Sequence, residues 1–384
     1  MRDKPPMDLE RLRGAFPVTH ELVYLNHAAV APASTSVAAA VVDFMRENVR
    51  FGALHYDRWL ARAEEVRAMA ARLIDASPSE VAFVKNTSTA ISIVANGIDW
   101  REGDNVVTAE CEFPANVYPW MNLASRGVET RFVKEREGRV RVGDIAAAMD
   151  GRTRLVSISW VEFLSGYRND LAAVGRLCRE RGALFCVDAI QGLGALRLSV
   201  RDTPVDFLAA DGHKWLLGPE GIGLFYCSER VIDRLHPAVV GWNSVVDAGE
   251  YLPHRFKLKE DAGKFEEGSP NMLGIHALGG ALSLIEEAGI DGIEARVLAL
   301  TARIMEGLDG AGAEVLSPRG EGERSGIVLF NAPAGRKGNG ELFGRLMKNR
   351  VFCSLRSGFL RVSPHFYNTE EEIDRFIGVV EGGP

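Results

Sequence analysis

Between about residue 80 and residue 227 the chain alternates short apolar runs with amphipathic stretches, and few folds can absorb that pattern. The apolar runs are Val81–Val84, Asn105–Thr108, Thr130–Val133, Leu155–Trp160, Ala183–Val187, Phe207–Ala209 and Ile222–Cys227. Most are rich in β-branched or aromatic residues and apolar on both faces, as parallel strands buried from two sides must be. Helix-like segments separate them at Thr89–Asp99, Ala115–Ser125, Val142–Met149 and Leu171–Arg181. In the last of these, Leu171, Val174, Leu177 and Cys178 share one helical face. The alternation predicts an α/β fold, a mostly parallel seven-stranded sheet with helices on both faces. Ligands of such open sheets bind beyond the carboxyl ends of the strands, so the loops there are where chemistry is expected.

The pattern changes after residue 288. A helical stretch from Gly292 to Leu308 leads to a strand at Ile327–Phe330, a helix at Gly340–Asn349, a strand near Phe359–Ser363 and a helix at Glu370–Val380. Ser317–Arg324, with Pro318, Gly320 and Gly322, reads as a loop. This predicts a large domain over 1–288, including an N-terminal arm, and a smaller C-terminal α+β domain over 289–384.

Charge and motif content narrow the function classes. With 45 Lys+Arg against 52 Asp+Glu the net charge is −7, which argues against a nucleic-acid partner. No apolar run reaches the roughly 18 residues of a membrane span. Met1–Thr19 carries Arg2, Asp3, Lys4, Asp8, Glu10, Arg11 and Arg13, and so has no signal-peptide apolar region. The cysteines, Cys111, Cys178, Cys186, Cys227 and Cys353, are widely spaced and form no C-x-x-C pair. H-E-x-x-H, the phosphate-binding P-loop and G-x-S-x-G are missing, and Gly192-x-Gly194 lacks the third glycine of a dinucleotide fingerprint. A cytoplasmic enzyme with a small-molecule substrate is the expectation.

Four loops at strand ends carry candidate chemistry. Asn86-Thr87-Ser88-Thr89 opens a helix after a strand: hydroxyls and free N–H groups there suit a dianion, or form a plain N-cap. Asp188 closes an apolar strand, where a carboxylate needs a cationic partner unless it caps the next segment. Lys214 ends the following strand, flanked by Gly212, His213, Trp215 and Gly218; an amine in such a crevice can have a lowered pKa and form a Schiff base. Arg356 and Arg361 are either exposed cations or a fork for a substrate carboxylate. Together the four match the needs of pyridoxal 5′-phosphate: a lysine, an acid for the pyridine nitrogen and a cup for the phosphate.

On these residues the chain resembles the class V aminotransferase family of fold-type I pyridoxal phosphate enzymes, which includes cysteine desulfurases, kynureninases and isopenicillin N epimerase. The matching stretches run from Tyr24-Leu25-Asn26 to Tyr367-Asn368-Thr369, through Val187-Asp188-x-x-Gln191, Gly212-His213-Lys214, Phe265-Glu266-x-Gly268-Ser269-Pro270 and Arg361-Val362-Ser363. The resemblance implies that Lys214 holds the cofactor and moves the substrate's α-proton. It implies that Asp188 pairs with the pyridine nitrogen, Gln191 contacts the phenolic oxygen and Phe113 stacks on the ring. Thr87, Ser88 and His213 would bind the phosphate, with Ser269 reaching it from the second subunit of a homodimer. Arg361 would hold the substrate carboxylate, with Arg356 and Asn26 nearby. The polar and aromatic run His55–Trp59 either lines the substrate entrance or is a helix surface.

Some positions depart from the family. Desulfurases carry a histidine where Phe113 stands, and a mobile loop with a nucleophilic cysteine between their two arginine motifs. Here only Ser357-Gly358-Phe359-Leu360 separate Arg356 from Arg361, and Cys353 lies outside. Desulfurase activity is therefore not expected; transamination, epimerisation and C–S lyase chemistry stay open, as does a non-catalytic regulator or scaffold. Glu162 and Phe163 replace an Asn-bearing stretch near the phenolic oxygen. Asp211 stands where relatives have a small hydroxyl residue, and is expected to cap or pair away from the phosphate.

Overall fold

The computed structural model describes residues 7–382; Arg2, Asp3, Lys4 and the outermost ends of the two expected domains lie outside them. The central sheet has seven strands in the spatial order Val81–Val84, Gly223–Cys227, Phe207–Asp211, Leu184–Asp188, Thr153–Ser159, Asn105–Ala109 and Glu129–Val133. Gly223–Cys227 runs antiparallel to both neighbours, and every other pair is parallel. The expected strands are all present, displaced at their ends by a few residues at most.

Period-two alternation sorts the strand side chains into two cores. Phe185, Val187, Leu208 and Ala210 face one, with helices Thr35–Phe51, Tyr56–Leu73, Leu171–Arg181 and Met272–Ala288. Leu184, Cys186, Phe207 and Ala209 face the other, with helix Thr87–Gly97. The sheet is thus covered on both sides. Three of these helices lie outside the β/α alternation, and local caps start two of them: Ser34 accepts from the Val37 amide and Asn271 from that of Gly274.

Helix Ile290–Gly310 begins the C-terminal layer, with helices Asn339–Lys348 and Glu370–Val380. They cover an antiparallel sheet in the order Ser354–Arg356, Phe359–Val362, Val328–Asn331 and Glu314–Val315. The N-terminal arm is shared between the layers. Val23–Tyr24 pairs in parallel with Val351–Phe352, and Val23 and Leu25 pack with Leu300, Phe330 and Phe376 of the C-terminal core. Grouping the whole arm with the large domain overlooks this pairing, since a two-residue strand has no periodicity to read. Among the described residues no helix is long and apolar enough to cross a membrane.

One glycine seats the turn that follows the Phe207–Asp211 strand. Gly194 has φ +101°, and a Cβ there would stand 2.2 Å from the Trp215 carbonyl oxygen, next to Lys214. Gly194→Ala is expected to cost about 2–4 kcal/mol and lower the melting temperature in thermal unfolding. Gly143→Ala, in a helix with nothing within 4 Å of the new Cβ, is the control and should stabilise slightly.

Candidate active site

Because the strands ending at Val84, Ala109, Ser159, Asp188 and Asp211 are parallel, their following loops all emerge at one edge of the sheet. They meet Ala28 and Ala29 of the N-terminal arm and Arg356 and Arg361 of the C-terminal sheet around a cavity of about 230 Å³.

One end of the cavity is built for an anion. Asn86 caps helix Thr87–Gly97 by accepting from the Thr89 amide at 2.9 Å, leaving the first-turn N–H groups without intrahelical acceptors. Thr87 and Ser88 line the cavity, and the buried Thr87 Oγ1 has no hydrogen-bond partner in the chain. His213 closes this end, its Nδ1 3.2 Å from Asp211 Oδ1 without hydrogen-bond geometry. Asp211 was expected to cap or pair away from the phosphate; instead it stands beside His213 and lines the cavity, because the strand that ends at Asp211 delivers both residues to the same edge.

The centre opposes an acid and an amine. Asp188 is buried and accepts from the Ile190 amide at 3.0 Å; burial raises its carboxyl to about 6, against the lowering effect of that amide and of Lys214. Lys214 is lowered to about 8 by desolvation, with Asp188 opposing the shift and Arg361 and Arg356 adding to it. Gln191 is clamped at both ends of its amide: Nε2 donates to Ala28 O and Oε1 accepts from Trp215 Nε1, each at 3.0 Å. One Nε2 hydrogen stays free for a ligand oxygen. Phe113 is 40% exposed and meets Phe163 edge to face at 5.4 Å; Lys214 Nζ lies 5.7 Å from the Phe113 ring centre.

The other end holds two cations on one hairpin. Ser357 and Gly358, with φ +50° and +81°, turn the chain between Arg356 and Phe359, which sit opposite each other. Arg361 is 1% exposed and donates through Nη1 to Phe163 O, while its Nε and Nη2 have no partner. Burial and then the Arg356 charge lower it to about 9. Two unpartnered donors on a buried guanidinium form a fork that fits a carboxylate.

Three candidates stand apart from the cavity within the chain. Ser269 opens onto a separate groove with Lys85, Thr89 and Gly268. Asn26 is buried and bridges Ser363, while its neighbours Ala28 and Ala29 reach the cavity. His55 precedes helix Tyr56–Leu73 and pairs with Glu47 at 2.8 Å; Trp59 is buried and donates to the same carboxylate. Within this chain the His55–Trp59 run therefore packs helix against helix and is not among the residues lining the cavity. Ala28, Ala29 and Ile190 were not legible as lining residues, because they have no polar side chain to mark them.

The orphaned Thr87 hydroxyl, the helix N-terminus, the opposed acid and amine and the arginine fork fit pyridoxal 5′-phosphate with an amino-acid carboxylate beside it. Among the described residues no cluster of His, Cys, Asp and Glu is arranged to hold a metal ion.

Known proteins share this arrangement of the chain. The aminotransferase class-V family model matches residues 23–376. A probable cysteine desulfurase of Methanothermobacter thermautotrophicus is 34% identical over 391 residues, covering 96% of both chains. The apo structure of a cysteine desulfurase from Thermococcus onnurineus NA1 has a TM-score of 0.88 at 28% identity, covering 99% of this chain and 98% of that one. The cystine C–S lyase C-DES, in complex with cysteine persulfide, has a TM-score of 0.87 at 23% identity over 96% of this chain and 100% of that one, a likeness of fold.

The lowered pKa of Lys214 makes its neutral amine available well below the usual lysine range. Reductive alkylation of the cofactor-free protein by a small aldehyde should half-saturate at Lys214 near pH 8 rather than 10.5, read by peptide mass spectrometry. Asp188→Asn removes a charge that raises the Lys214 pKa, so that midpoint should fall further.

Proposed function

The chain belongs to the aminotransferase class-V family and is a pyridoxal 5′-phosphate enzyme; from that premise we propose that it acts at Cα or Cβ of an amino acid as an aminotransferase, epimerase or C–S lyase, and not as a cysteine desulfurase. The observation that carries the reading is the single cavity in which Lys214 faces Asp188 and the open fork of Arg361.

Bound there, pyridoxal phosphate supplies an electron sink conjugated to the substrate's Cα. Lys214 Nζ holds the cofactor and, once free, takes and returns the Cα proton; its lowered pKa keeps much of it neutral near pH 8. Asp188 keeps the pyridine nitrogen protonated. Thr87, Ser88 and His213 hold the phosphate, Gln191 gives its free N–H to the phenolic oxygen, and Phe113 covers the ring. Arg361, assisted by Arg356, takes the α-carboxylate. Cofactor binding thus falls to 1–288 and carboxylate binding to 289–384.

Relatives carry the name cysteine desulfurase, and this reading departs from it at the sulfur acceptor. Persulfide formation needs a thiolate at the cavity. The hairpin between Arg356 and Phe359 is a two-residue turn without cysteine. Cys353 is 2% exposed in the C-terminal core, and burial pushes its thiol up to about 12. No cysteine is among the described residues lining the cavity.

The functional unit in this reading is a homodimer in which Ser269 reaches the partner's phosphate. Two features support it: the Gly268–Ser269 groove beside Lys85 and Thr89, and the exposed apolar side chains of Trp242, Tyr251, Leu252 and Phe256. The five cysteines are free thiols, which fits the reducing cytoplasm.

A panel of amino acids in deuterated water, followed by NMR and mass spectrometry, tests the reaction. Exchange at Cα without net product indicates epimerisation, pyruvate or alanine from a cysteine-type substrate indicates C–S cleavage, and a keto acid indicates transamination. Protein that stays colourless with added pyridoxal phosphate would refute the reading, and coloured protein inert toward the panel would favour a regulator or scaffold. Lys214→Ala should abolish turnover. Arg361→Lys should lose on the order of 10²-fold in kcat/KM, about 2.7 kcal/mol, because an ammonium cannot form the fork.

A further inference from the structure

The anion end of the cavity contains a side chain of the wrong charge. Asp211 ends the Phe207–Asp211 strand, its side chain is 8% exposed, and it lines the cavity with Thr87, Ser88 and His213. Among the described residues no donor bonds its Oδ1, and His213 is its one partner within ion-pair distance. A buried carboxylate without a donor is costly, and a bound dianion beside it adds repulsion. The backbone does not let it retreat: Asp211 is in register with Gly223, and the Gly212 amide donates to Ile222 O at 2.8 Å.

The His213 ring can resolve the conflict. Its Nδ1 is buried and 3.2 Å from Asp211 Oδ1, and neither atom has a hydrogen bond. That separation already suits a hydrogen bond; only the angle is wrong, and the broad torsion about the bond to the histidine ring adjusts an angle at little cost. The His213 carbonyl accepts from the Ala31 amide at 2.7 Å, so the ring can turn while the loop stays in place. Nε2 has no partner among the described residues and remains for a ligand in the cavity.

Donor counting then sets the charge of the ring. A carboxylate oxygen at Nδ1 and a phosphate oxygen at Nε2 are both acceptors, so each nitrogen must carry a hydrogen. A neutral imidazole has a single N–H and fails one of them. A serine or threonine at this position would relax the demand, since a hydroxyl can donate to Nδ1 and leave the ring neutral.

We propose that Asp211 is a positioning residue that holds His213 as a doubly protonated imidazolium when an anion occupies the cup, so that phosphate binding draws one proton from water onto the ring. This rests on the reading of this end as the phosphate site. The Asp211–His213 pair is then neutral overall and presents its cationic member to the phosphate. The other charged groups of the cavity are Asp188 and Lys214 at its centre and Arg356 and Arg361 beyond them. The Asn86 loop and helix Thr87–Gly97 add only hydroxyls and amides, and Ala28 and Ala29 are apolar.

Sulfate is the sharpest probe, because it is a dianion that carries no proton of its own near neutrality. Histidine-selective 15N spectra of the cofactor-free chain at pH 8, with His213 assigned by the signals missing from His213→Gln, show whether both ring nitrogens are protonated. An ordinary histidine is neutral at that pH. On addition of sulfate or pyridoxal 5′-phosphate, wild-type His213 should change to two protonated nitrogens. In Asp211→Asn, whose amide can donate to Nδ1, it should keep one. Sulfate affinity gives a second readout, measured in Lys214→Ala so that the amine does not titrate with the ring. Sulfate binds the protonated ring, which grows scarcer as pH rises, so affinity should fall about tenfold per pH unit above 7. Adding Asp211→Asn should flatten that slope. A wild-type ring that stays neutral with either anion bound overturns the proposal, whether or not the variant folds, and so do equal slopes in the two proteins. Anions that leave the His213 signals unmoved would refute the phosphate cup itself, and the role of Asp211 with it.

Discussion

A carboxylate and an amine held at the edge of an apolar sheet set the terms for the rest of this structure. Asp188 and Lys214 end neighbouring strand–loop units, and each is pushed toward its neutral form by burial, Asp188 to about 6 and Lys214 to about 8. Desolvation of that size is tolerated because the parallel sheet supplies rigid, fully hydrogen-bonded strands beneath both groups. An acid poised beside a cationic ring nitrogen and a partly neutral amine are what pyridoxal phosphate chemistry requires. The two apolar cores on either face of the sheet keep both groups out of water.

The amine must also be held in register with the arginine fork, which belongs to the other layer of the fold. An uncharged seam does this. His27 Nδ1 donates to Ser363 O and Nε2 accepts from Tyr367 OH, and His365 Nε2 donates to Trp215 O while its Nδ1 accepts from the Phe366 amide. Burial lowers both histidines, so they stay neutral and each ring nitrogen keeps a fixed role. Trp215 adjoins Lys214, and Ser363 lies two residues beyond Arg361. The seam ties the lysine turn to the C-terminal layer, and the Phe163 carbonyl accepts directly from the Arg361 guanidinium.

Much of the central sheet was legible because burial on both faces leaves a signature that local sequence must carry. Apolar runs with both parities filled, as in Leu184–Asp188, can only be interior strands, and helix Leu171–Arg181 shows its face in the spacing of Leu171, Val174 and Cys178. The four loops were legible only together: alone Thr87 reads as part of a plain cap and Arg361 as an exposed cation, and it is their combination with Asp188 and Lys214 that matches one cofactor. The pairing of Val23–Tyr24 with Val351–Phe352 was not legible: its partners lie more than three hundred residues apart and no period marks them. His55 stayed open for a related reason: a histidine beside tyrosine and tryptophan fits a substrate entrance or a helix surface, and the Glu47 carboxylate that pairs with it lies one helix earlier.

The sequence by itself determined the kind of chemistry, because a cofactor's demands fall on single residues at the ends of recognisable strands. It also determined the alternating sheet that presents them, because hydrophobic period is a local property of the chain. Tertiary structure decided which residues share the cavity: it joined Ala28 and Phe163 to the lysine, set Ser269 on a separate groove and packed His55 into a helix pair. Proximity in space between residues far apart in the chain, and the desolvation that follows from it, arise only when the layers close; no single stretch of sequence contains them.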